Sequence, residues 1–297
     1  MPRKARLKIP YRKSFYQTCS KASGPPDWRP FDDPRVQARL LRIIEKYATA
    51  YQCEVTSFVI EGNQYELGLQ FQPYRRLSRL QMEPIAEALY SNPADWPKTR
   101  REWQRFNRRI FDLSEFMRNV NGVFASWYNK THNRRGPFFA ERFKSAILAD
   151  RQALQDSLLY MELHPVREGR VSTPENWAVS SASYRRRRPP PTWMTPLSRI
   201  FEGHGTTTPT EEYRTRLHWR GSADVSGNLP SKPPVLADEI RRGFIVPGVY
   251  LRPVARLESD PIIGSPYAVA KTWRRIRTQL RSRTDANLRQ PQSRCFM

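Results

Sequence analysis

Between residues 64 and 71 the chain alternates in character: Tyr65, Leu67, Leu69 and Phe71 are interleaved with Gln64, Glu66, Gly68 and Gln70. A period of two is that of a β-strand with unlike faces. It places Gln64 and Glu66 on one face, about 7 Å apart along the strand. The preceding "CEVTSFVIEG" reads as a partner strand, and Glu61-Gly62-Asn63 is turn chemistry, so the two form a hairpin. "SFYQTCSK", residues 14–21, is an earlier strand. A fourth is expected to end near Ala149, after the Gly136-Pro137 turn in "NRRGPFFAERFKSAIL".

Helical periodicity fills the gaps. Val36, Leu40, Ile43, Ile44, Tyr47 and Tyr51 recur at helical spacing, with Asp33 as a cap and Pro34 at the first turn. Phe116, Met117, Val120, Val123, Phe124, Trp127 and Tyr128 form one stripe behind Asp112 and Glu115, which have capping-box spacing. Asp150 can cap "RQALQDSLLYMELHPVREG". In that helix Leu154, Leu158 and Met161 form the apolar stripe. Tyr160 lies roughly 200° from Leu158, beside Asp156 and His164, and is expected to look outward.

The order βα-ββ-αβ, followed by a helix, predicts an α+β fold: a ferredoxin-like, four-stranded antiparallel sheet covered by helices. Residues 74–112 read as a charged helical insertion. From Arg185 the composition changes. "RRRRPPP" reads as a basic, polyproline-like linker. The expected organisation is a domain over residues 1–187, a Pro-rich linker with helical fragments over 188–235, and a basic helical region over 236–297. In the last of these Ser265 is a cap and Pro266 begins a helix rich in arginine.

Charge narrows the function. Fifty-one Lys and Arg against 28 Asp and Glu give a formal net charge of +23 on 297 residues. Self-repulsion of that size opposes compaction, and nucleic acid is the usual polyanion that offsets it. Cys19, Cys53 and Cys295 match neither a disulfide framework nor a zinc spacing, and the four histidines form no metal-ligand pair. A reducing cytoplasm is the expected compartment. No apolar run is long enough to span a membrane.

Several ordered strings carry a resemblance: "MPRKARLKIP", "EGNQYELGLQF", "LSEFM", "YNKTHNRRGPFFAERFKSAIL", "YMELHPVREGRV" and "ENWAVSSASY", with weaker similarity in "PLSRIF" and "DPIIGSPYAV". Over roughly residues 1–187 the chain resembles the single-tyrosine HUH transposases of insertion sequences, in particular the REP-associated tyrosine transposases. That resemblance implies recognition of hairpin or single-stranded DNA at inverted repeats, and strand cleavage and rejoining through a 5'-phosphotyrosine. It matches the nucleophile to Tyr160. The family's metal-binding histidine pair, in a Pro-Asn-His-x-His-Leu slot, falls on Gln64 and Glu66; Asn63 and Leu67 match, and Gly62 stands at the proline.

Two chemistries stay open for that pair. Oxygen donors suit Mg²⁺ or Mn²⁺, with Glu66 as the stronger ligand. Otherwise the site has lapsed to a solvated Gln/Glu face, and the chain binds DNA hairpins without cutting them. RNA binding is a third option. Candidate phosphate contacts are Arg134 and Arg135 in a turn, Arg142 and Lys144 on the fourth strand, and Arg274, Arg275, Arg277 and Arg281 on the C-terminal helix. Trp96, Trp103 and Phe106, among Lys98, Arg100, Arg101 and Arg105, suit either base stacking or burial under a surface helix. The chain is expected to act as a monomer or homodimer.

Overall fold

In a computed structural model the described residues are 6–25, 27–203, 205–221 and 261–281. Expectations about residues outside these ranges, including most of the region 236–297, lie outside the described residues.

The hairpin sets the geometry. Strands β1 (Ser14–Lys21), β2 (Cys53–Glu61), β3 (Gln64–Phe71) and β4 (Lys144–Leu148) lie in the order β2-β3-β1-β4, each neighbouring pair antiparallel. Gly62 turns the hairpin at φ +58°, a conformation that costs glycine little. The sheet is not four-stranded and purely antiparallel as expected. A fifth short strand, β5 (Ile262–Ile263), pairs parallel with β4 and makes the sheet mixed.

Strand β2 contains a bulge. Val55 pairs with Leu69 and Ser57 with Gly68, so Thr56 is the extra residue. The bulge reverses the parity of everything after it. Val55, Phe58 and Ile60 all reach the same core, which a regular strand forbids. Gly68 makes room for the two residues opposite it. A Cβ there would lie 2.4 Å from both Ser57 Oγ and Thr56 Oγ1, and 3.2 Å from Met161 Cε.

Helices cover both faces of the sheet. On one side α1 (Pro34–Ala50) and α4 (Leu113–Thr131) bury Leu40, Ile44, Phe116, Val120 and Phe124 against Tyr65, Leu67, Leu69 and Phe71. Asp33 caps α1 through the Arg35 amide, and Asp112 caps α4 through those of Ser114 and Glu115, as the sequence predicts. The insertion forms α2 (Arg79–Leu89) and α3 (Arg100–Arg109) around a small core of their own. Trp103 and Phe106 are buried in it, with Trp96 packed against it, so the stacking reading fails for the first two; the exposed cations beside them remain.

On the other face lie α5 (Arg151–Glu162), the single-turn α6 (His164–Arg167), α7 (Ser181–Arg185) and α8 (Pro209–Gly221). One buried carboxylate ties three of them together. Glu162 accepts from Ser181 Oγ at 2.5 Å, Tyr213 Oη at 2.7 Å and Arg185 Nε at 3.1 Å. The break expected at Arg185 is therefore not a break in packing. Trp193 and Met194 enter the main core, and the Thr195 amide bonds the Val55 carbonyl at 2.9 Å. Helix α9 (Pro266–Arg281) adds Trp273 and Ile276 to that core.

Two outcomes follow for stability. Gly68→Ala should destabilise the chain by about 1–3 kcal/mol, because the new methyl meets two side chains that the bulge holds in place. Denaturant titration reads it, and an unchanged midpoint would mean that the bulge relaxes freely. Trp273→Ala should cost about 3–5 kcal/mol if α9 is part of the main core. A cost near zero would restore an independent C-terminal region.

Candidate functional site

Cross-strand partners in an antiparallel sheet point to the same side. On the α5 side one row therefore runs Val59, Glu66, Cys19, Lys144 across β2, β3, β1 and β4, and the next runs Glu61, Gln64, Lys21. Glu61 belongs here because of the bulge. Counted without it, Glu61 shares the parity of Val55 and faces the apolar core.

Over these rows α5, capped by Asp150 through the Ala153 amide, brings Ser157, Tyr160 and Met161. Ser57 Oγ contacts Met161 Sδ at 3.8 Å. Gln64 and Glu66 do lie together, as their spacing predicts. Their surroundings are not the solvated face considered from sequence: Glu66 is 4% exposed. Its Oε1 accepts from Gln64 Nε2 at 3.2 Å and its Oε2 from Gln17 Nε2 at 3.0 Å. Ser157 Oγ then donates to Gln17 Oε1 at 3.0 Å, which fixes the Gln17 amide with its nitrogen towards Glu66.

Beside this network Glu61 Oε1 meets His164 Nδ1 in a short contact. Glu61 is 3% exposed, and its Oε2 is buried with no hydrogen-bond partner. Tyr160 is half-buried rather than turned to solvent. Its ring lies 6.3 Å from that of His164, and the Arg167 guanidinium sits 4.0 Å over its face. Arg167 also donates to the Tyr160 carbonyl at 2.8 Å and is exposed.

The electrostatics follow from burial. Desolvation raises the Glu66 pKa, against the pull of His164, the Gln17 hydrogen bond and Arg167. Desolvation likewise raises that of Tyr160, and the Glu66 charge adds to it while Arg167 opposes. For His164, burial works against the imidazolium, but the Glu61 hydrogen bond and the charges of Glu61 and Glu66 outweigh it, so its pKa rises. Arg167 is exposed as a residue, but neighbouring groups crowd its guanidinium and partly desolvate it, which lowers its pKa against the pull of Tyr160, Glu66 and Glu61.

A divalent cation does not fit this donor set. Both Glu66 oxygens already accept amide N–H groups, and the nitrogen of Gln64, not its carbonyl oxygen, faces the carboxylate. Among the described residues no group of three or more His, Cys, Asp or Glu side chains is arranged to hold a metal.

The other sequence candidates are scattered. Arg134 is a structural residue: it donates to the carbonyls of Pro137 and Ser23 at 2.9 Å each, with Trp28 and Phe138 beneath it. Arg135 is exposed. Arg142 is exposed too, but lies before β4 rather than on it. Its charge joins burial in lowering the Arg6 pKa to about 10. Lys144 stands in the row of Glu66 and pairs with Glu141 at 3.3 Å. Arg274, Arg275 and Arg277 are exposed, but α9 packs on the α1/α4 side, away from Tyr160. Arg281 is the last residue of α9, and its side chain lies outside the described set.

Sequence reasoning missed Glu61, Arg167 and Gln17 as site residues, and gave His164 no role. The separation of His164 from Tyr160 by four residues was a visible signal. The place of Glu61 was hidden behind the bulge.

No protein-family model matches the chain, and no curated protein matches it. A solved structure of a REP-associated tyrosine transposase bound to a REP hairpin is similar to 66% of this chain and 92% of its own, at 12% identity and a TM-score of 0.42. A likeness of that size leaves function to the site's own chemistry. No helix among the described residues is long and apolar enough to cross a membrane.

The Glu61–His164 pair predicts a pH dependence. A histidine whose folded pKa is raised stabilises the fold below its unfolded value, and that contribution is lost as pH climbs through the raised pKa. In NMR titration His164 should protonate above the ordinary 6.5, and Glu61→Gln should bring it down, since burial then acts without the neighbouring charge. A wild-type His164 titrating below that value would mean that burial outweighs Glu61.

Proposed function

We propose that this chain binds single-stranded or hairpin DNA and does not cut it by metal-assisted chemistry. One observation carries the reading. Tyr160 on α5 lies near enough to Glu66 on β3 for that charge to act on its phenol, and these are the two elements to which the resemblance assigns a nucleophile and a metal slot. The formal charge of +23 supports a polyanionic partner, and exposed guanidiniums at Arg135, Arg142, Arg274, Arg275 and Arg277 are available to phosphates.

The closed carboxylate favours binding over cleavage. Attack on a phosphodiester builds charge that a Lewis acid normally stabilises. At Glu66 the oxygens that would hold such an ion accept amide hydrogens instead.

Binding of a labelled hairpin should weaken steeply with salt. About six phosphate contacts on single-stranded DNA give a log–log slope of roughly −4. A slope near zero between about 50 and 200 mM salt, the range over which phosphate contacts are released, would remove nucleic acid as the partner. With Mg²⁺ or Mn²⁺ present no denaturation-resistant protein–DNA adduct should form. An adduct in wild type that disappears in Tyr160→Phe would show that cleavage survives.

A further inference from the structure

We infer that His164 and Arg167, three residues apart on α6, form a metal-free phosphate-binding pair beside Tyr160. For the identity of the ligand, a phosphate of a DNA strand, this rests on the DNA-binding reading; the site itself rests on geometry.

The first part of the argument is which cations are already used. Three arginines on this side have carboxylate partners: Arg170 with Asp32 at 2.5 Å, Arg185 with Glu162 at 3.1 Å, Arg216 with Glu212 at 2.7 Å. Arg167 has none within ion-pairing distance among the described residues. It is exposed, and its polar contact is to the backbone carbonyl of Tyr160, where the aromatic face holds the guanidinium plane in place. A fork of donors fixed in this way is preorganised for a bidentate phosphate contact.

The second part concerns His164. Its Nδ1 lies against the Glu61 carboxylate, which sets the tautomer and leaves Nε2 as the free ring nitrogen. No hydrogen bond occupies Nε2 among the described residues, and the side chain keeps 15% of its surface in solvent. With Nδ1–H given to Glu61, Nε2 carries a hydrogen in the imidazolium, the form that the adjoining carboxylate favours, and in that form it is a donor one helical turn from Tyr160.

The nearby negative charges do not cancel this pair. Glu61 is matched by the His164 imidazolium, and Glu66 is buried under two amide N–H groups. His164 and Arg167 thus stand near Glu66, in the slot to which the resemblance assigns a metal.

Two probes separate the possibilities. Inorganic phosphate titrated into the full chain in excess EDTA should shift the NMR signals of the His164 ring and the Arg167 Nε–H in a saturable way, whereas chloride at equal ionic strength should not. Arg167→Gln should abolish the His164 shift, and the charge-keeping Arg167→Lys should retain part of it. Mg²⁺ without phosphate should leave both signals in place. Hairpin DNA should bind equally well with EDTA and with Mg²⁺, and Arg167→Gln should weaken it by about tenfold. Absence of a phosphate shift overturns the inference, as does a shift with Mg²⁺ but none with phosphate. If phosphate binds and hairpin DNA does not, the pair stands and the DNA reading fails. If hairpin DNA binds as tightly to Arg167→Gln as to wild type, the DNA reading stands and the pair is not part of it.

Discussion

The site depends on one extra residue in a strand. Thr56 and Ser57 share the space opposite Gly68, and the absence of a side chain at Gly68 lets both hydroxyls sit there. The same bulge lets Val55 and Phe58 both face the α1/α4 core, although three residues separate them. It also turns Glu61 to the α5 side, where it meets His164. Without the parity change Glu61 would be a carboxylate in an apolar core, and His164 would have no anchor. The packing of one face and the chemistry of the other are thus set by a single backbone feature.

Covering the sheet on both faces is the second constraint. A half-exposed sheet leaves its polar residues in water. Here α5 lies over Gln17, Glu66 and Gln70, so each must find a partner inside the protein or remain unsatisfied. Gln17 and Gln64 supply donors to Glu66, and Ser157 supplies one to Gln17. Two of the roughly four acceptor sites of the Glu66 carboxylate are thus taken by amide hydrogens, and the Gln64 group beside it presents a donor rather than a ligand oxygen. What made Gln64 and Glu66 look like metal ligands, two oxygen-bearing side chains on one face, is what lets them bond to each other.

Much of this fold is legible in the sequence for physical reasons. The alternation at Tyr65–Phe71 and the caps Asp33, Asp112 and Asp150 mark elements whose bounds the structure reproduces closely. Local pattern could not show that Ile262 and Ile263 form a strand, because two residues carry no period. Nor could it show that α9 joins the main core. Its arginines dominate the reading, while Trp273 and Ile276, three residues apart, do the packing. The same limit applies to Arg134. A guanidinium in a turn reads as a phosphate contact, and only the positions of Ser23, Pro137 and Trp28 reveal that it holds the chain together. Tyr160, Gln64 and Glu66 were found through resemblance. Glu61 needed the bulge, and Arg167 needed the aromatic face beneath it.

Binding and cleavage make opposite demands on Tyr160, and the geometry favours the first. A phenol attacks phosphorus well only as its anion approaches, which calls for a nearby base or a lowered pKa. Burial and the Glu66 charge both oppose the phenolate, and Arg167 offsets them only in part. As a platform the neutral ring has no such handicap. Its face orients the Arg167 guanidinium, its backbone carbonyl accepts from the same group, and its edge stands near the His164 ring. In the proposed phosphate site the ring's part is to hold the Arg167 guanidinium, with the His164 ring 6.3 Å away. The two donors proposed for a phosphate come from α6, a different element from the strand β3 that carries Gln64 and Glu66.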